Sequence, residues 1–208
     1  MEIDAGLFQI EKKMKWVLAT RNAGKVAEFQ RIANELDAGI EWLGLNEVGF
    51  LEEIEETGDT LSENARLKSW AVFKKLGLPV LSDDSGLFVD GLNGAPGVFS
   101  ARYAGVGSTD LQNNEKLLRE MEGMEERTAH FSVVLCAVVE GKEMFFEGRV
   151  AGTIGKVMQG SSGFGYDSLF IPDGFSGTFA ELSLEQKDGI SHRRRALEFL
   201  VRWKKNYF

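Results

Sequence analysis

Apolar and polar positions alternate in blocks along this chain of 208 residues, and the blocks predict an ordered series of strands and helices. Strands are expected at residues 16–19 and 40–43, and two longer ones at 128–139 and 143–151, joined near Gly141 as a hairpin. The first two strands are separated by apolar residues at helical spacing, namely Val26, Phe29, Ala33 and Leu36. Strands and helices that alternate in the first half, followed by a hairpin, predict a mixed-sheet α/β protein.

A helix with a well-marked start and end is predicted after residue 60. Thr60 and Glu63 have the spacing of a capping box, in which both side chains satisfy backbone N–H groups of the first turn. Gly77 follows two lysines, at a position where helices commonly end. Within this helix Asn64 and Lys68 are four residues apart, so we expect both side chains on one face.

The region after the predicted helix contains a long segment that is rich in glycine and small residues. Residues 91–107 are therefore predicted to form a loop. Ser108 or Thr109 is expected to cap the helix that follows, and Ser191 is expected to cap the last helix of the chain.

Composition limits the classes of function. Hydrophobic residues make up 43% of the chain and charged residues 27%, which is typical of a globular protein. The net charge of −8 argues against broad, non-specific nucleic-acid binding, which needs a basic face, but it leaves room for a small anionic substrate in a local basic pocket. The single Cys136 cannot form an internal disulfide, which favours a reducing compartment, and we expect the cytoplasm.

The N-terminus has neither a candidate site nor a periodic pattern. We interpret residues 1–14 as an N-terminal extension and 15–208 as a single functional domain. The acidic start is unlike a secretory signal, and the longest apolar run is far shorter than the roughly 20 residues of a membrane span. We therefore expect no membrane partner.

Two adjacent carboxylates, Asp83 and Asp84, follow the apolar run 78–81. The run predicts a buried strand, and residues 82–86 after it predict a turn of small residues. The carboxyl end of a strand is where α/β folds place ligands. A carboxylate pair there is costly unless a cation or hydrogen-bond donors compensate it. The pair is a candidate cation site, with a capped turn as the alternative.

The segment Thr20-Arg21-Asn22-Ala23-Gly24-Lys25 directly follows the first predicted strand. It is not a Walker loop, since Ala19 and Val26 stand where that motif needs Gly and Ser or Thr. A polar turn into a helix N-terminus can nevertheless present backbone N–H groups to phosphate, and Lys25 adds a charge. A plain strand-to-helix turn with Asn22 as the cap is the alternative.

Glu56 and Asp84 are candidate ligands for Mg²⁺, which favours oxygen ligands and commonly takes one or two carboxylates together with substrate phosphates. Glu56 lies in the acidic segment 52–56, so a solvated loop is the alternative. Lys68 would ordinarily be a solvated lysine, and only its spacing from Asn64 and the sites that flank its helix suggest a role.

Aromatic and basic residues in the last quarter form a third candidate cluster. Phe164 lies between Gly163 and Gly165, where its ring could stack on a base or could simply plug the turn. His192 and Arg193 fall in the first turn of the last helix, where cations oppose the helix dipole. An anionic ligand would reverse that penalty, and an exposed basic turn is the alternative.

Seven segments together carry a family resemblance that none carries alone, and it covers about residues 15 to 203. In chain order they resemble the inosine/xanthosine triphosphate pyrophosphatase family, which hydrolyses non-standard purine nucleoside triphosphates. The segments are Thr20 to Lys25, Glu55-Glu56-Thr57-Gly58, Glu63 to Lys68, Ser82 to Leu87, Gly94 to Tyr103, Gly163 to Asp167, and Ile190-Ser191-His192-Arg193.

The resemblance implies a role for each matching position. Asp84 would be the general base as well as a ligand of Mg²⁺ with Glu56, Asp83 would lie beside it, and Lys68 would face the phosphates. The triphosphate would be held by Thr20, Arg21, Asn22, Ala23, Gly24 and Lys25. The rest of the nucleotide would contact Ser85, Phe164, Gly165, Tyr166, Asp167, Lys187, His192 and Arg193.

The resemblance also implies a fold, a reaction and an assembly. The fold would be two α/β lobes around a long mixed β-sheet, with the nucleotide cleft between them and a homodimer as the assembly. A water would attack the α-phosphorus of ITP, dITP or XTP, which gives the monophosphate and pyrophosphate. The domain 15–208 would then be a nucleoside triphosphate pyrophosphatase that needs no nucleic-acid partner.

Two positions depart from the family's usual pattern. Ser162 stands where a second glycine is common, and Ser168 stands where proline commonly follows the aspartate. Both lie in the base-side loop and bear on its rigidity. Two other functions stay open, namely a pyrophosphatase for modified pyrimidine nucleotides and a nucleotide-binding regulator without catalysis.

Overall fold

A computed structural model describes residues 14–207, which form one six-stranded mixed sheet flanked by helices. The strand order is β2-β1-β3-β4-β5-β6. β1 is parallel to β2 and to β3, whereas the pairs β3–β4, β4–β5 and β5–β6 are antiparallel. The strands are β1 Met14–Leu18, β2 Ile40–Gly44, β3 Val80–Val89, β4 Thr128–Val139, β5 Lys142–Ile154 and β6 Phe170–Pro172. This architecture confirms the predicted α/β class. Residues 1–13 of the predicted extension 1–14 lie outside the described residues, and Met14 belongs to the domain instead, because it begins β1 and pairs with Ile40.

The helices cover both faces of the sheet. They are α1 Ala23–Glu35, α2 Leu61–Leu76, α3 Asp110–Glu120, α4 Leu184–Ile190 and α5 His192–Tyr207. Thr60 and Glu63 form the predicted capping box of α2, and Gly77 follows that helix in the left-handed conformation. Thr109 caps α3, and the Ser191 hydroxyl accepts from the Arg194 N–H at the start of α5. The four predicted caps are thus confirmed.

Two apolar clusters lie at opposite ends of the long strands. One packs α1 and α5 against the sheet through Leu18, Phe29, Leu81 and Leu200 among others. The other joins the far ends of β3, β4 and β5 to α3 and to the segment that contains Phe170. β1 pairs with β3 only at Val80 and Leu81, so the next residues of β3 have no neighbour on that side and border a cleft.

The predicted turn at residues 82–86 is wrong, because β3 continues through it to Val89. Ser82 to Gly86 pair with β4 residues Cys136 to Ser132 in antiparallel register. The polar side chains are tolerated in a buried strand because other elements satisfy them; the Ser82 hydroxyl, for example, bonds Ser69 and the carbonyl of Ala65. The predicted loop 91–107 also contains two short 3₁₀ helices, Asp90–Leu92 and Gly97–Arg102.

Gly86 allows the 3₁₀ segment to approach β3 closely. An ideal Cβ at this position would lie 2.3 Å from the carbonyl oxygen of Gly97. We expect Gly86→Ala to lower the free energy of unfolding by about 1–3 kcal/mol, because the backbone must shift to accept the methyl group. Gly189→Ala is the matched control, since its Cβ would meet nothing within 4 Å in α4. Equal urea midpoints for the two variants would contradict the expectation.

No helix within residues 14–207 is both long enough and apolar enough to cross a membrane.

Candidate nucleotide-binding cleft

A cavity of about 430 Å³ opens where β1 ends and β3 loses its neighbour. Most of the predicted site residues line it, although they come from distant parts of the chain. They are Thr20, Arg21, Asn22, Lys25, Glu56, Lys68, Asp84, Ser85, Phe164, Gly165, Tyr166, Asp167, His192 and Arg193. Ala23, Gly24, Asp83 and Lys187 do not line it, so any influence they have on a ligand there passes through their neighbours or their backbone.

The turn between β1 and α1 is held by its own polar side chains. The Asn22 carbonyl oxygen Oδ1 accepts from the Lys25 N–H and caps α1, and the Thr20 hydroxyl accepts from the Asn22 N–H. The cap thus confirms the alternative interpretation of Asn22. It does not exclude phosphate binding, because the first turn of α1 still carries the positive end of a helix dipole.

Asp83 links two cations that come from different helices. Its Oδ2 lies 2.8 Å from Nζ of Lys25 on α1 and 3.7 Å from Nε of Arg193 on α5. Arg193 also donates to Glu28 at 3.0 Å and to the Ser85 hydroxyl at 3.1 Å. Burial opposes ionisation of Asp83, but Lys25, Arg193 and Lys68 hold its pKa below the ordinary value. The charge of Arg193 is therefore balanced by protein carboxylates as well as by any ligand.

Glu28 is one of the residues at this site that sequence reasoning missed. It lies three residues after Lys25 on α1 and is almost fully buried against Arg193. The helical spacing from Lys25 was the available signal, because residues three apart share a face. The signal was weak, since an isolated glutamate in a helix is usually solvated.

Asp84 points to the opposite face of the sheet from Asp83, as neighbouring residues in a strand do. Its Oδ2 accepts from the Asn64 amide at 3.1 Å, and its Oδ1 lies 3.7 Å from Nζ of Lys68. Lys68 also bonds Glu56 at 2.7 Å. The prediction that Asn64 and Lys68 share one face of α2 is thus confirmed.

Glu56 and Asp84 form an oxygen-rich pair on either side of one ammonium group. Burial raises the pKa of Asp84 against the attraction of Lys68, and Glu56 adds to that rise. No group of three His, Cys, Asp or Glu side chains in residues 14–207 is arranged to hold an ion. Two carboxylates fit a Mg²⁺ ion that takes its other ligands from phosphate and water, and they do not fit an all-protein cage.

Arg21 binds a neighbouring loop with its guanidinium group. It donates to the side chain of Asn46 and to the carbonyls of Phe50 and Glu52, at 3.0–3.2 Å. These acceptors belong to the segment that leads to Glu56. Arg21, predicted to hold triphosphate, thus connects the start of α1 to the acidic segment.

Another part of the cavity lining is built around an aromatic side chain. Residues 163–167, here called the aromatic loop, place the Phe164 ring 4.9 Å from Nζ of Lys187 and 5.4 Å from Cζ of Arg193. An ideal Cβ on Gly24 would lie 2.6 Å from this ring, so the loop reaches the start of α1. Asp167 ties the loop by accepting from Lys187 at 2.5 Å and from the Phe164 N–H at 2.9 Å.

His192 is buried beside the aromatic loop with both ring nitrogens lacking a hydrogen-bond partner among the described residues. Its ring stacks on Phe131 at 5.0 Å between centroids, and both residues line the cavity. Burial lowers the pKa of His192 well below 6.5, and the charges of Arg193, Lys187 and Lys25 lower it further. The imidazole is therefore neutral, so one ring nitrogen is a donor and the other an acceptor.

The neutral state of His192 makes stability depend on pH. In the unfolded chain the imidazole takes up a proton near pH 6.5, while the buried ring does not. The unfolded state therefore binds more protons, and stability should fall as the pH drops below about 6.5, by up to ~1.4 kcal/mol per unit. We expect His192→Gln to remove this part of the loss between pH 7.5 and 5.5 in urea titrations. An identical loss in both proteins would contradict the neutral assignment.

Comparison with known proteins places this cleft in context. The model of the Ham1 family matches residues 16–203. A dITP/XTP pyrophosphatase of Listeria innocua is 48% identical over 189 residues, which cover 89% of this chain and 92% of that protein. A dITP/XTP pyrophosphatase of Bacillus subtilis is 46% identical over 187 residues, which cover 88% of this chain and 93% of that protein.

Solved structures share the fold. The Ham1 protein of Staphylococcus aureus superposes with a TM-score of 0.83 at 39% identity, over 93% of this chain and 100% of that one. A nucleoside-triphosphatase / dITP/XTP pyrophosphatase from Mycobacterium abscessus superposes with a TM-score of 0.72 at 43% identity, over 90% and 98% of the two chains.

Proposed function

The chain belongs to the Ham1 family, and from that premise we propose that it hydrolyses non-standard purine nucleoside triphosphates to the monophosphate and pyrophosphate. ITP, dITP and XTP are the proposed substrates, and the cellular role is their removal from the nucleotide precursor pool. Relatives named dITP/XTP pyrophosphatases, 43–49% identical over most of this chain, support the substrate class.

One observation carries the proposal: a single cavity is lined both by cations and carboxylates and by aromatic rings and an unpaired imidazole. Lys25, Lys68, Glu56 and Asp84 suit a triphosphate with a divalent cation. Phe164 and His192 suit a flat base with polar edges. A simple phosphate-binding site would not need the aromatic part of this lining.

Mg²⁺ is the proposed cofactor, held by Glu56 and Asp84 together with oxygens of the substrate. When bound, it supplies positive charge that neutralises the phosphates and the charge that develops on them in the transition state. The chain contributes its own cations beside it. Lys68 stays protonated, because Asp83, Asp84 and Glu56 outweigh its burial and raise its pKa, so it would attract the phosphates without changing charge.

Asp84 is proposed as the general base that takes a proton from the attacking water. Its carboxylate lines the cavity, so it can accept a proton from a water held there. Asp84 and Asp83 point to opposite faces of the sheet, so we assign them different roles. Asp83 holds Lys25 and Arg193 in place, and we therefore propose that it acts as a positioning residue with no direct contact to the reacting atoms.

The test is product analysis with Mg²⁺ across a panel that includes ITP, dITP, XTP, ATP, GTP and modified pyrimidine triphosphates. We expect inosine and xanthosine nucleotides to be hydrolysed fastest, with pyrophosphate and the monophosphate as the products. Preference for a modified pyrimidine would support the alternative pyrophosphatase. Nucleotide binding without release of pyrophosphate would support the regulator.

Assembly and location follow from the same proposal. We propose a homodimer, as the family resemblance implies, and light scattering should give twice the mass of one chain. The enzyme is proposed to act in the cytoplasm, because the nucleotide precursor pool is there. A monomer at micromolar concentration would contradict the proposed assembly and leave the proposed reaction unaffected.

A further inference from the structure

The N-terminal turns of α3 hold the aromatic loop from one side. Asn114 donates its side-chain Nδ2 to the carbonyl oxygen of Gly165 at 2.9 Å. The Asp110 carboxylate accepts from the N–H of the same glycine at 2.6 Å. Asp110 and Asn114 are four residues apart and so lie on one face of the helix. Two side chains of one helix thus bind both backbone groups of one residue.

The two contacts act on successive peptide groups. The N–H of Gly165 belongs to the peptide that joins it to Phe164, and its carbonyl belongs to the peptide that joins it to Tyr166. Fixing both peptide planes fixes the backbone angles of Gly165, whose φ is +61°. These angles set the direction of the Phe164 ring relative to Tyr166, and the Tyr166 hydroxyl is itself bound to the carbonyl of Ser100 at 2.8 Å.

The burial of Asn114 indicates that its side chain is needed for the hydrogen bond to Gly165 and not for packing alone. Asn114 is only 4% exposed, and its Oδ1 has no hydrogen-bond partner among the described residues. A buried unpaired acceptor destabilises a protein, so an apolar residue would suit this position better if packing were its only role. The amide is explained by its donation to Gly165.

The aromatic loop has no regular secondary structure, so ordering it during binding would cost conformational entropy. Contacts that order the loop beforehand remove that cost.

We propose that Asn114 and Asp110 are positioning residues that hold the aromatic loop in the orientation that receives the base. The inference rests on the proposed function for the identity of the ligand. It predicts that loss of either contact weakens binding of the base end of a nucleotide and leaves binding of the triphosphate end unchanged. The two contacts of Asn114 and Asp110 with Gly165, here called the clamp, exist without a ligand, so their effect on the loop can be measured separately.

The test uses the full chain with three single substitutions. Asn114→Leu has a similar volume and removes the donor, and Asp110→Ala removes the acceptor at an exposed position. Gln112→Ala is the control, because Gln112 completes the capping box of α3 and has no hydrogen bond to the aromatic loop. Amide hydrogen exchange of residues 163–167 is measured without ligand. Binding is measured by calorimetry with Mg²⁺, using α,β-methylene-ITP and inorganic tripolyphosphate.

We expect faster exchange in residues 163–167 for Asn114→Leu and Asp110→Ala, and no change there for Gln112→Ala. The dissociation constant of the ITP analogue should rise about 3- to 10-fold in both clamp variants, as for one lost hydrogen bond, while that of tripolyphosphate stays within twofold. A variant that fails to fold is replaced by the other one.

Unchanged exchange in both clamp variants would overturn the inference, and so would an equal weakening of both probes. If the unmodified protein does not bind the ITP analogue, the proposed function fails. The exchange measurement would still decide whether α3 orders the loop.

Discussion

Asp84→Asn is expected to lower kcat by about 10²- to 10⁴-fold at saturating Mg²⁺, the range typical for loss of a general base. The substitution keeps the shape of the side chain. Asp84 accepts from both the Asn64 amide at 3.1 Å and the Ser85 N–H at 3.0 Å, and a single amide oxygen can keep only one of these hydrogen bonds. What disappears is the negative charge beside Lys68 and the capacity to accept a proton.

Stability separates this effect from simple unfolding. The ionised Asp84 is disfavoured by burial, which is why its pKa is raised in the folded protein. A neutral side chain removes that cost but leaves one donor of Asn64 or Ser85 unpaired, and these two effects oppose each other. The melting temperature of Asp84→Asn should therefore stay within a few degrees of that of the parent, whereas the activity falls by orders of magnitude.

Glu56→Gln is the matched control for the two roles of Asp84. It removes the other candidate metal ligand and keeps the proposed base. We expect it to raise the Mg²⁺ concentration that gives half-maximal activity and to preserve more of kcat at saturation than Asp84→Asn. Near-parental turnover by Asp84→Asn at saturating Mg²⁺ would falsify the assignment of the general base.

The second large effect concerns base selection, where kcat/KM for ITP and XTP should exceed that for ATP by at least about 10²-fold. Inosine and xanthosine carry an oxygen at purine position 6, and adenosine carries an amino group. Arg193, which lines the cavity near the Phe164 ring, can only donate hydrogen bonds in its charged state. An amino group opposite such a donor leaves two donors unsatisfied.

The free-energy cost of unsatisfied hydrogen-bonding groups is large enough for a preference of this size. Each buried unsatisfied polar group costs ~1–3 kcal/mol, so a mismatch that leaves one on each side costs ~2–6 kcal/mol. That range corresponds to roughly 30- to 10⁴-fold in kcat/KM. Stacking on Phe164 cannot supply it, because every base has an aromatic face.

Phe164→Ala separates the contribution of stacking to base binding from that of hydrogen bonding. We expect it to weaken every purine substrate, by roughly the ~1–3 kcal/mol of one stacked base, and to leave most of the ITP-to-ATP ratio intact. A collapse of the ratio would mean that the ring, by its position, selects the base. Comparable hydrolysis of ATP and ITP by the parent protein would contradict the role in removing non-standard nucleotides and leave the pyrophosphatase chemistry standing.

Most elements of the fold could be predicted from local patterns. The capping box at Thr60 and Glu63, the left-handed Gly77 and the hairpin near Gly141 depend on residues a few positions apart, so their physics is readable along the chain. The turn predicted at residues 82–86 failed for the opposite reason. Those polar residues remain in a strand because α2 and α5, distant in sequence, supply their hydrogen bonds.

The sequence by itself determined which chemical groups are present and the order of the family motifs that contain them. From these motifs it indicated a nucleotide cleft with a carboxylate-bound cation. Tertiary structure alone decided which of those residues meet. It directed Asp83 and Asp84 to opposite faces, bound Arg21 to a loop, and brought Glu28 and Asn114 to Arg193 and Gly165. Local propensity acts over a few residues, whereas a buried charge or amide is stable only where a distant partner satisfies it.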